Sequence, residues 1–112
     1  MKNIYSDPSD FGMTLVGEAE LSDGSYQFDM TLVLTDGESF YYVQDSGCSC
    51  PMPFEDVTGI DGLTKIDRPQ DLIDFMDEQI KQGYTYSESD AQRAQAEAGD
   101  LIRAYRDAAA KS

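Results

Sequence analysis

The feature that most constrains the fold is a strict alternation of residue types between positions 13 and 35. It is interrupted only by Asp23-Gly24, a pair suited to a two-residue hairpin turn because both turn positions need positive φ. Before the turn, one face of an extended strand bears Met13, Leu15, Gly17, Ala19 and Leu21. After the turn, it bears Tyr26, Phe28, Met30, Leu32 and Leu34. The pattern predicts a β-hairpin.

A two-residue turn would also fix the register of this hairpin. It pairs Leu21 with Tyr26, Ala19 with Phe28, Gly17 with Met30 and Leu15 with Leu32, so that every pair is apolar or contains glycine. On the other face it sets Glu18 opposite Asp29 and beside Glu20. Opposed like charges cost about 0.2–1 kcal/mol. Three such carboxylates indicate a surface for a cation or a basic partner, unless water and salt screen them.

A second Asp-Gly pair, Asp36-Gly37, predicts a turn into a third strand at residues 39–44. The loop length decides which residues of that strand face inward. A two-residue loop turns Tyr41 and Val43 inward, whereas a three-residue loop turns Phe40 and Tyr42 inward. In either case aromatic side chains lie on the outer face, so we expect a covering helix or a partner there.

The C-terminal half has helical periodicity. Asp67 is placed to cap a first helix, with Pro69 in its first turn and Gln70 completing the cap. The apolar positions of this helix are Leu72, Ile73, Phe75, Met76 and Ile80. Those of a second helix are Ala91, Ala94, Ala98, Leu101, Ile102, Tyr105 and Ala109.

These patterns predict one α+β domain over residues 1–112. A three-stranded antiparallel meander occupies the strand-rich part, 11–45. A Cys/Pro loop follows at 46–66, and two helices at 67–112 pack on the apolar face of the sheet.

The Cys/Pro loop contains Cys48 and Cys50, which could supply half of a zinc site. A symmetric dimer or the nearby acids Asp45, Glu55 and Asp56 would complete it. The first interpretation, ahead of the metal site, is a pair of structural thiols. A redox pair ranks third, because a disulfide between positions two apart would close a small, strained ring. A catalytic thiol is disfavoured because the chain has no His to act as its base. The sequence indicates no cofactor other than this possible zinc ion.

Two prolines stiffen the same loop, since Pro51 and Pro53 restrict themselves and the residues before them. Met52 and Phe54 would then be displayed beside carboxylates, where a basic or amphipathic partner could contact them. Alternatively, Phe54 inserts into the core.

The net charge is −14, and no Lys or Arg occurs between Lys2 and Lys65. That span contains 12 acids: Asp7, Asp10, Glu18, Glu20, Asp23, Asp29, Asp36, Glu38, Asp45, Glu55, Asp56 and Asp61. Such a field repels nucleic acid and anionic membrane and attracts basic protein surfaces. It also suits a merely solubilising surface. No apolar run is long enough to span a bilayer.

Two segments, VGEAELSDGSYQFDM at 16–30 and YYVQDSGCSCPMPFED at 41–56, resemble small proteins of unknown function encoded by phages of actinobacteria. The shared features are the SDG turn with its aromatic strand and the GCSCPxPFE run. The resemblance implies expression in the cytoplasm of an infected bacterial host. It implies no enzymatic activity or binding site.

The leading functional hypothesis is a non-catalytic accessory protein, monomeric or homodimeric, that binds a basic-surfaced or nucleic-acid-binding host protein without contacting nucleic acid or membrane. Its expected interaction residues are Glu18, Glu20, Asp29, Tyr41, Tyr42, Asp45, Met52, Phe54 and Glu55. Mimicry of DNA is a specific version, and it requires carboxylates spaced like phosphates along one face. The alternative is a structural or hydrolytic metal-binding module centred on Cys48 and Cys50. The sequence favours a non-catalytic role without deciding it.

Overall fold

The computed structural model describes residues 3–21, 27–48, 54, 57, 59–82 and 88–111. Within them, four strands form one antiparallel sheet in the order β1-β2-β3-β4. The elements are β1 (Thr14–Glu20), β2 (Gln27–Thr35), β3 (Phe40–Cys48), β4 (Thr64–Ile66), α1 (Pro69–Gln82) and α2 (Glu88–Lys111), with short 3-10 helices at Pro8–Phe11 and Ile60–Gly62. The α+β class is confirmed. No helix among the described residues is long and apolar enough to cross a membrane.

The predicted number of strands is wrong, because β4 lies in the segment assigned to the loop. It has only three residues and pairs with the start of β3, where Ile66 faces Phe40 and Thr64 faces Tyr42. Three residues are too few for an alternation signal to be recognised.

The predicted register of the first hairpin is also wrong, by three residues. Ala19 faces Thr31 rather than Phe28, and Gly17 faces Val33 rather than Met30. The prediction assumed a single buried face, whereas Val33 and Leu34 of β2 are both fully buried on opposite faces. When both faces are buried, matching apolar residues across one face no longer determines the register.

A β-bulge divides β1. Leu15 pairs with Leu34, and Gly17 pairs with Val33, so Val16 is the additional residue. A bulge changes which face the following residues take. Leu15 therefore packs on one side of the sheet, whereas Ala19 and Leu21 pack on the other.

The helices cover one side of the sheet, which we call the helix-covered face. Its strand residues are Ala19, Leu21, Val33, Phe40 and Ile66, and they pack on Leu72 and Met76 of α1 and on Ala94, Ala98, Leu101 and Tyr105 of α2. Phe40 meets Tyr105 edge to face at 5.3 Å, and Tyr42 lies 4.3 Å from Phe75 between ring centroids. The expected helix over the outer aromatics of β3 is confirmed.

The other side is the loop-covered face, where Met30, Leu32, Leu34 and Val43 are buried without a helix. The N-terminal segment contributes Ile4 and Met13, and the segment after β3 contributes Phe54, Val57 and Leu63. The helices were expected on this strongly apolar face. Instead they pack on the face with smaller side chains, where Gly17 admits α2. A Cβ at Gly17 would lie 3.1 Å from Leu101 Cδ1 and 3.3 Å from Ala104 Cβ.

The start of α1 differs in detail from the predicted cap. Asp71, rather than Gln70, reaches back, and its Oδ2 accepts the backbone N–H groups of Arg68 at 3.0 Å and Asp67 at 3.2 Å. A carboxylate at this position satisfies amides that the first helical turn leaves without partners.

Candidate functional site

The predicted surface of three carboxylates does not form. Glu18 lies on the loop-covered face opposite Leu32, whereas Asp29 is on the helix-covered face. Glu18 is exposed and accepts a hydrogen bond from the phenol of Tyr5. That bond, burial and the charges of Glu18 and Glu20 raise the pKa of Tyr5 from 10.0 to about 12, because all of them favour the neutral phenol.

Glu20 and Asp29 meet where the ladder between β1 and β2 ends. Leu21 N–H donates to the Asp29 carbonyl at 2.8 Å, but the Asp29 N–H donates to Glu20 Oε2 at 3.0 Å. The Leu21 carbonyl accepts instead from Arg93 Nη2 of α2 at 3.4 Å, and Arg93 Nη1 reaches the Glu20 carbonyl at 3.3 Å. These side chains join the end of β1 to α2.

The side chain of Asp29 also has a partner within the sheet. Its Oδ1 accepts from Gln44 Nε2 of β3 at 2.9 Å. Thr31, next along the same face, is fully buried, and its hydroxyl has no hydrogen-bond partner among the residues that the structure describes. The two carboxylates of this region therefore stabilise strand ends rather than forming an open acidic surface.

Asp45 holds the segment that follows β3. Its Oδ2 accepts the Phe54 N–H at 2.8 Å, and its Oδ1 accepts the Ser46 N–H at 3.0 Å. Phe54 has a left-handed φ of 67° and is fully buried, with its ring 6.0 Å from that of Tyr5. The insertion of Phe54 into the core, one of the two sequence interpretations, is therefore what the structure shows, and its display to a partner is not.

The two tyrosines of β3 take opposite faces. Four residues, 36–39, connect β2 with β3 rather than two or three, and they turn Tyr41 and Val43 toward the same face as a two-residue loop would. Tyr42 lies on the helix-covered face, and Tyr41 packs beside the core of the loop-covered face. The Tyr41 hydroxyl donates to Asp36 Oδ2 at 3.3 Å. Asp36 Oδ1 accepts the N–H groups of Glu38 and Ser39, and these bonds lower the pKa of Asp36 below 3.8 because they favour the carboxylate.

The metal prediction is not tested. Cys48 ends β3, but its side chain is not described, and Cys50, Met52 and Glu55 lie outside the described residues. In the part of the chain that the structure describes, no group of three or more Cys, Asp or Glu side chains could hold a metal ion.

Four of the carboxylates share one role: they accept hydrogen bonds from backbone N–H groups. Asp36, Asp45 and Asp71 each accept two, and Glu20 accepts one. Charge-assisted bonds of this kind are stronger than neutral ones. These four acids thus hold turns, strand ends and a helix start. Hydrophobic periodicity gave no signal for this role.

A different acidic surface lies on α1. We define the α1 acidic face as Asp71, Asp74, Asp77 and Glu78; the first three follow at intervals of three residues, and Glu78 is four residues after Asp74. The last three are exposed, and Lys81 is the only base within the helix. Leu72 and Met76, on the opposite side, are buried. The helical spacing of the apolar residues of α1 implies that these acids face solvent, and it indicates no site.

The architecture is that of a small α+β domain with a sheet covered by helices on one side and by loops on the other. The chain belongs to the family described as Domain of unknown function (DUF7574), whose model matches residues 2–107. No curated protein and no solved structure matches the chain. The relationship to phage proteins, and the use of the GCSCPxPFE run as its marker, stay predictions.

Proposed function

We propose that this protein is a non-catalytic acidic binding protein whose α1 acidic face docks on a basic surface of another protein. The observation that carries the proposal is the exposure of Asp74, Asp77 and Glu78 on a rigid helix, with Asp77 and Glu78 three and four residues after Asp74. Like charges at this spacing destabilise a helix by about 0.2–0.5 kcal/mol per pair. A basic partner would remove that cost.

The structural roles of the other acids support this choice of surface. Glu20, Asp36 and Asp45 accept hydrogen bonds from backbone N–H groups, and Glu18 accepts one from the phenol of Tyr5. The separation of Glu18 from Asp29 counts against a binding surface on the sheet. The resemblance to phage proteins makes a protein of the bacterial host the proposed partner.

Mimicry of DNA is the finer version of this proposal. Asp71, Asp74 and Asp77 follow one another about 4.5 Å apart along the helix axis at 1.5 Å per residue, and Glu78 lies about 6 Å beyond Asp74. Nucleic-acid-binding proteins contact phosphates mainly through Lys and Arg side chains. A partner of that class would release this protein when duplex DNA is added.

Affinity capture from a nuclease-treated actinobacterial lysate tests the proposal with two variants of equal charge. D74N/D77N/E78Q neutralises the α1 acidic face, and D10N/E38Q/D61N neutralises three exposed acids elsewhere; each changes the net charge from −14 to −11. We expect one protein to be retained by the wild type and by the second variant. Its affinity for the first should fall roughly tenfold, at about half a kcal/mol per carboxylate.

Equal loss of that protein from both variants would show attraction by net charge alone and would overturn the α1 site. Equal retention by both would do the same. Cross-links between the captured protein and Lys81, at the end of α1, would give independent support for the surface.

A further inference from the structure

Three Asp-Gly pairs occur in this chain, at residues 23–24, 36–37 and 61–62. Such pairs are chemically labile. The glycine nitrogen attacks the aspartate Cγ, a C–N bond forms, and the Cγ–oxygen bond breaks with loss of water. The resulting succinimide takes up water at either carbonyl and gives aspartate or isoaspartate. The reaction needs no oxidant or cofactor.

The attack requires a free glycine nitrogen and a carboxyl group that can rotate toward it. The Asp36-Gly37 turn meets neither condition. Asp36 Oδ1 accepts from Glu38 N at 2.9 Å and from Ser39 N at 2.8 Å, and Oδ2 accepts from Tyr41 Oη at 3.3 Å. The Gly37 N–H donates to Thr35 Oγ1 at 3.0 Å. The lowered pKa of Asp36 adds to this protection, because it keeps the group ionised and the Cγ of a carboxylate reacts poorly with the attacking nitrogen.

The Asp61-Gly62 pair is held much less firmly. Asp61 and Gly62 are both exposed, and the Asp61 carboxylate makes no hydrogen bond within the described part of the chain. The Gly62 N–H donates to the Gly59 carbonyl at 3.1 Å in a 3-10 turn of three residues. Opening the Asp61-Gly62 turn breaks one hydrogen bond, whereas opening the Asp36-Gly37 turn breaks several.

We infer that Asp61-Gly62 is a site of spontaneous isoaspartate formation and that the hydrogen bonds around Asp36-Gly37 protect that turn from the same reaction. Isoaspartate at position 61 adds one carbon to the backbone three residues before β4. The short pairing of Thr64–Ile66 with β3 would then be the first structure to be disturbed.

The test follows isoaspartate at both sites by mass spectrometry of the full chain during incubation at pH 7.4 and 37 °C. Chymotrypsin separates the sites, whereas trypsin leaves both in one fragment because no Lys or Arg lies between Lys2 and Lys65. In the folded protein, Asp61 should react at least about fivefold faster than Asp36, the factor for one additional ordinary hydrogen bond. In concentrated urea, the two rates should converge.

Two variants separate chemistry from folding. Gly62→Ala should slow the reaction at Asp61, and its Cβ fits because it would lie 3.4 Å from Val57 Cγ1. Thr35→Val frees the Gly37 N–H and should raise the rate at Asp36 about fivefold. Equal rates at both sites in the folded wild type, or an Asp61 that stays unmodified while Asp36 reacts, would overturn the inference.

Discussion

The two faces of the sheet are buried by different means. On the helix-covered face, regular helices bury Ala94, Ala98 and Leu101 against β1, and Arg93 adds hydrogen bonds to carbonyls at the end of that strand. On the loop-covered face, irregular segments are fixed by polar side chains that bond backbone amides. Asn3 Oδ1 accepts from Tyr5 N at 2.8 Å and from Ser6 N at 3.2 Å, and Asp45 accepts from Phe54 N. An irregular cover needs such acceptors because it has no internal ladder to satisfy its amides.

The largest expected effect tests whether the loop-covered face is as important for stability as the helix-covered one. Phe54→Ala should lower the free energy of unfolding by about 3–5 kcal/mol, and Leu101→Ala by about 2–5 kcal/mol, because both side chains are buried. Chemical denaturation followed by circular dichroism measures both. A loss below about 1 kcal/mol for Phe54→Ala would mean that the loop cover is peripheral.

The next effect sharpens the account of the helix-covered face. Gly17→Ala should cost about 1–3 kcal/mol, because its Cβ would crowd Leu101 and Ala104. Gly99→Ala is the matched control: nothing lies within 4 Å of its Cβ, so it should stabilise α2 by about 0.5–1 kcal/mol. The cost of Gly17→Ala should shrink in a Leu101→Ala background. Additive losses would rule out the close approach.

On the loop-covered face, the polar anchor can be removed without changing the core. Asp45→Ala leaves the Phe54 N–H without its acceptor and should cost about 1–2 kcal/mol. Asp45→Asn keeps an acceptor oxygen and should cost less than half as much. Thermal unfolding of the wild type and the two variants at equal concentration measures these losses of stability. Equal losses for both variants would indicate that charge, not the hydrogen bond, is what matters.

The smallest effect concerns alkaline pH. The pKa of Tyr5 is raised from 10.0 to about 12. The stability it contributes is therefore complete below pH 10 and is lost as the pH rises from 10 to 12. Ultraviolet titration of wild type minus Tyr5→Phe should show this phenol ionising near pH 12, and Glu18→Gln should move the transition toward 10. A transition at pH 10 in the wild type would contradict the bond to Glu18.

Much of the fold could be predicted from residue periodicity. The α+β class, the alternation of Phe28, Met30, Leu32 and Leu34, and the buried positions of both helices agree with the structure. The register of the first hairpin, the fourth strand and the sheet face on which the helices pack could not be predicted from periodicity. Periodicity shows that two faces differ, but it cannot show what covers a face when both are apolar.

The candidate site was less predictable for a related reason. Glu18, Glu20 and Asp29 were brought together only by the assumed register, and a shift of three residues separates Glu18 from Asp29. The acceptor roles of Asp36 and Asp45 depend on the course of turns. Those bonds join a side chain to amides near in space, and a residue's type alone does not reveal them.

The bulge at Val16 determines how β1 would respond to the deletion of one residue. Alternation in a strand has a period of two, so one surplus residue acts as a phase shift of half a period. The odd-numbered residues of 13–15 therefore face one side of the sheet and those of 17–21 face the other, and the change of side occurs at Val16. Deleting Val16 would remove the bulge and leave Leu15 paired with Leu34 on the loop-covered face and Ala19 on the helix-covered face. A single-residue deletion there would therefore give a regular strand in which no remaining side chain has to change sides.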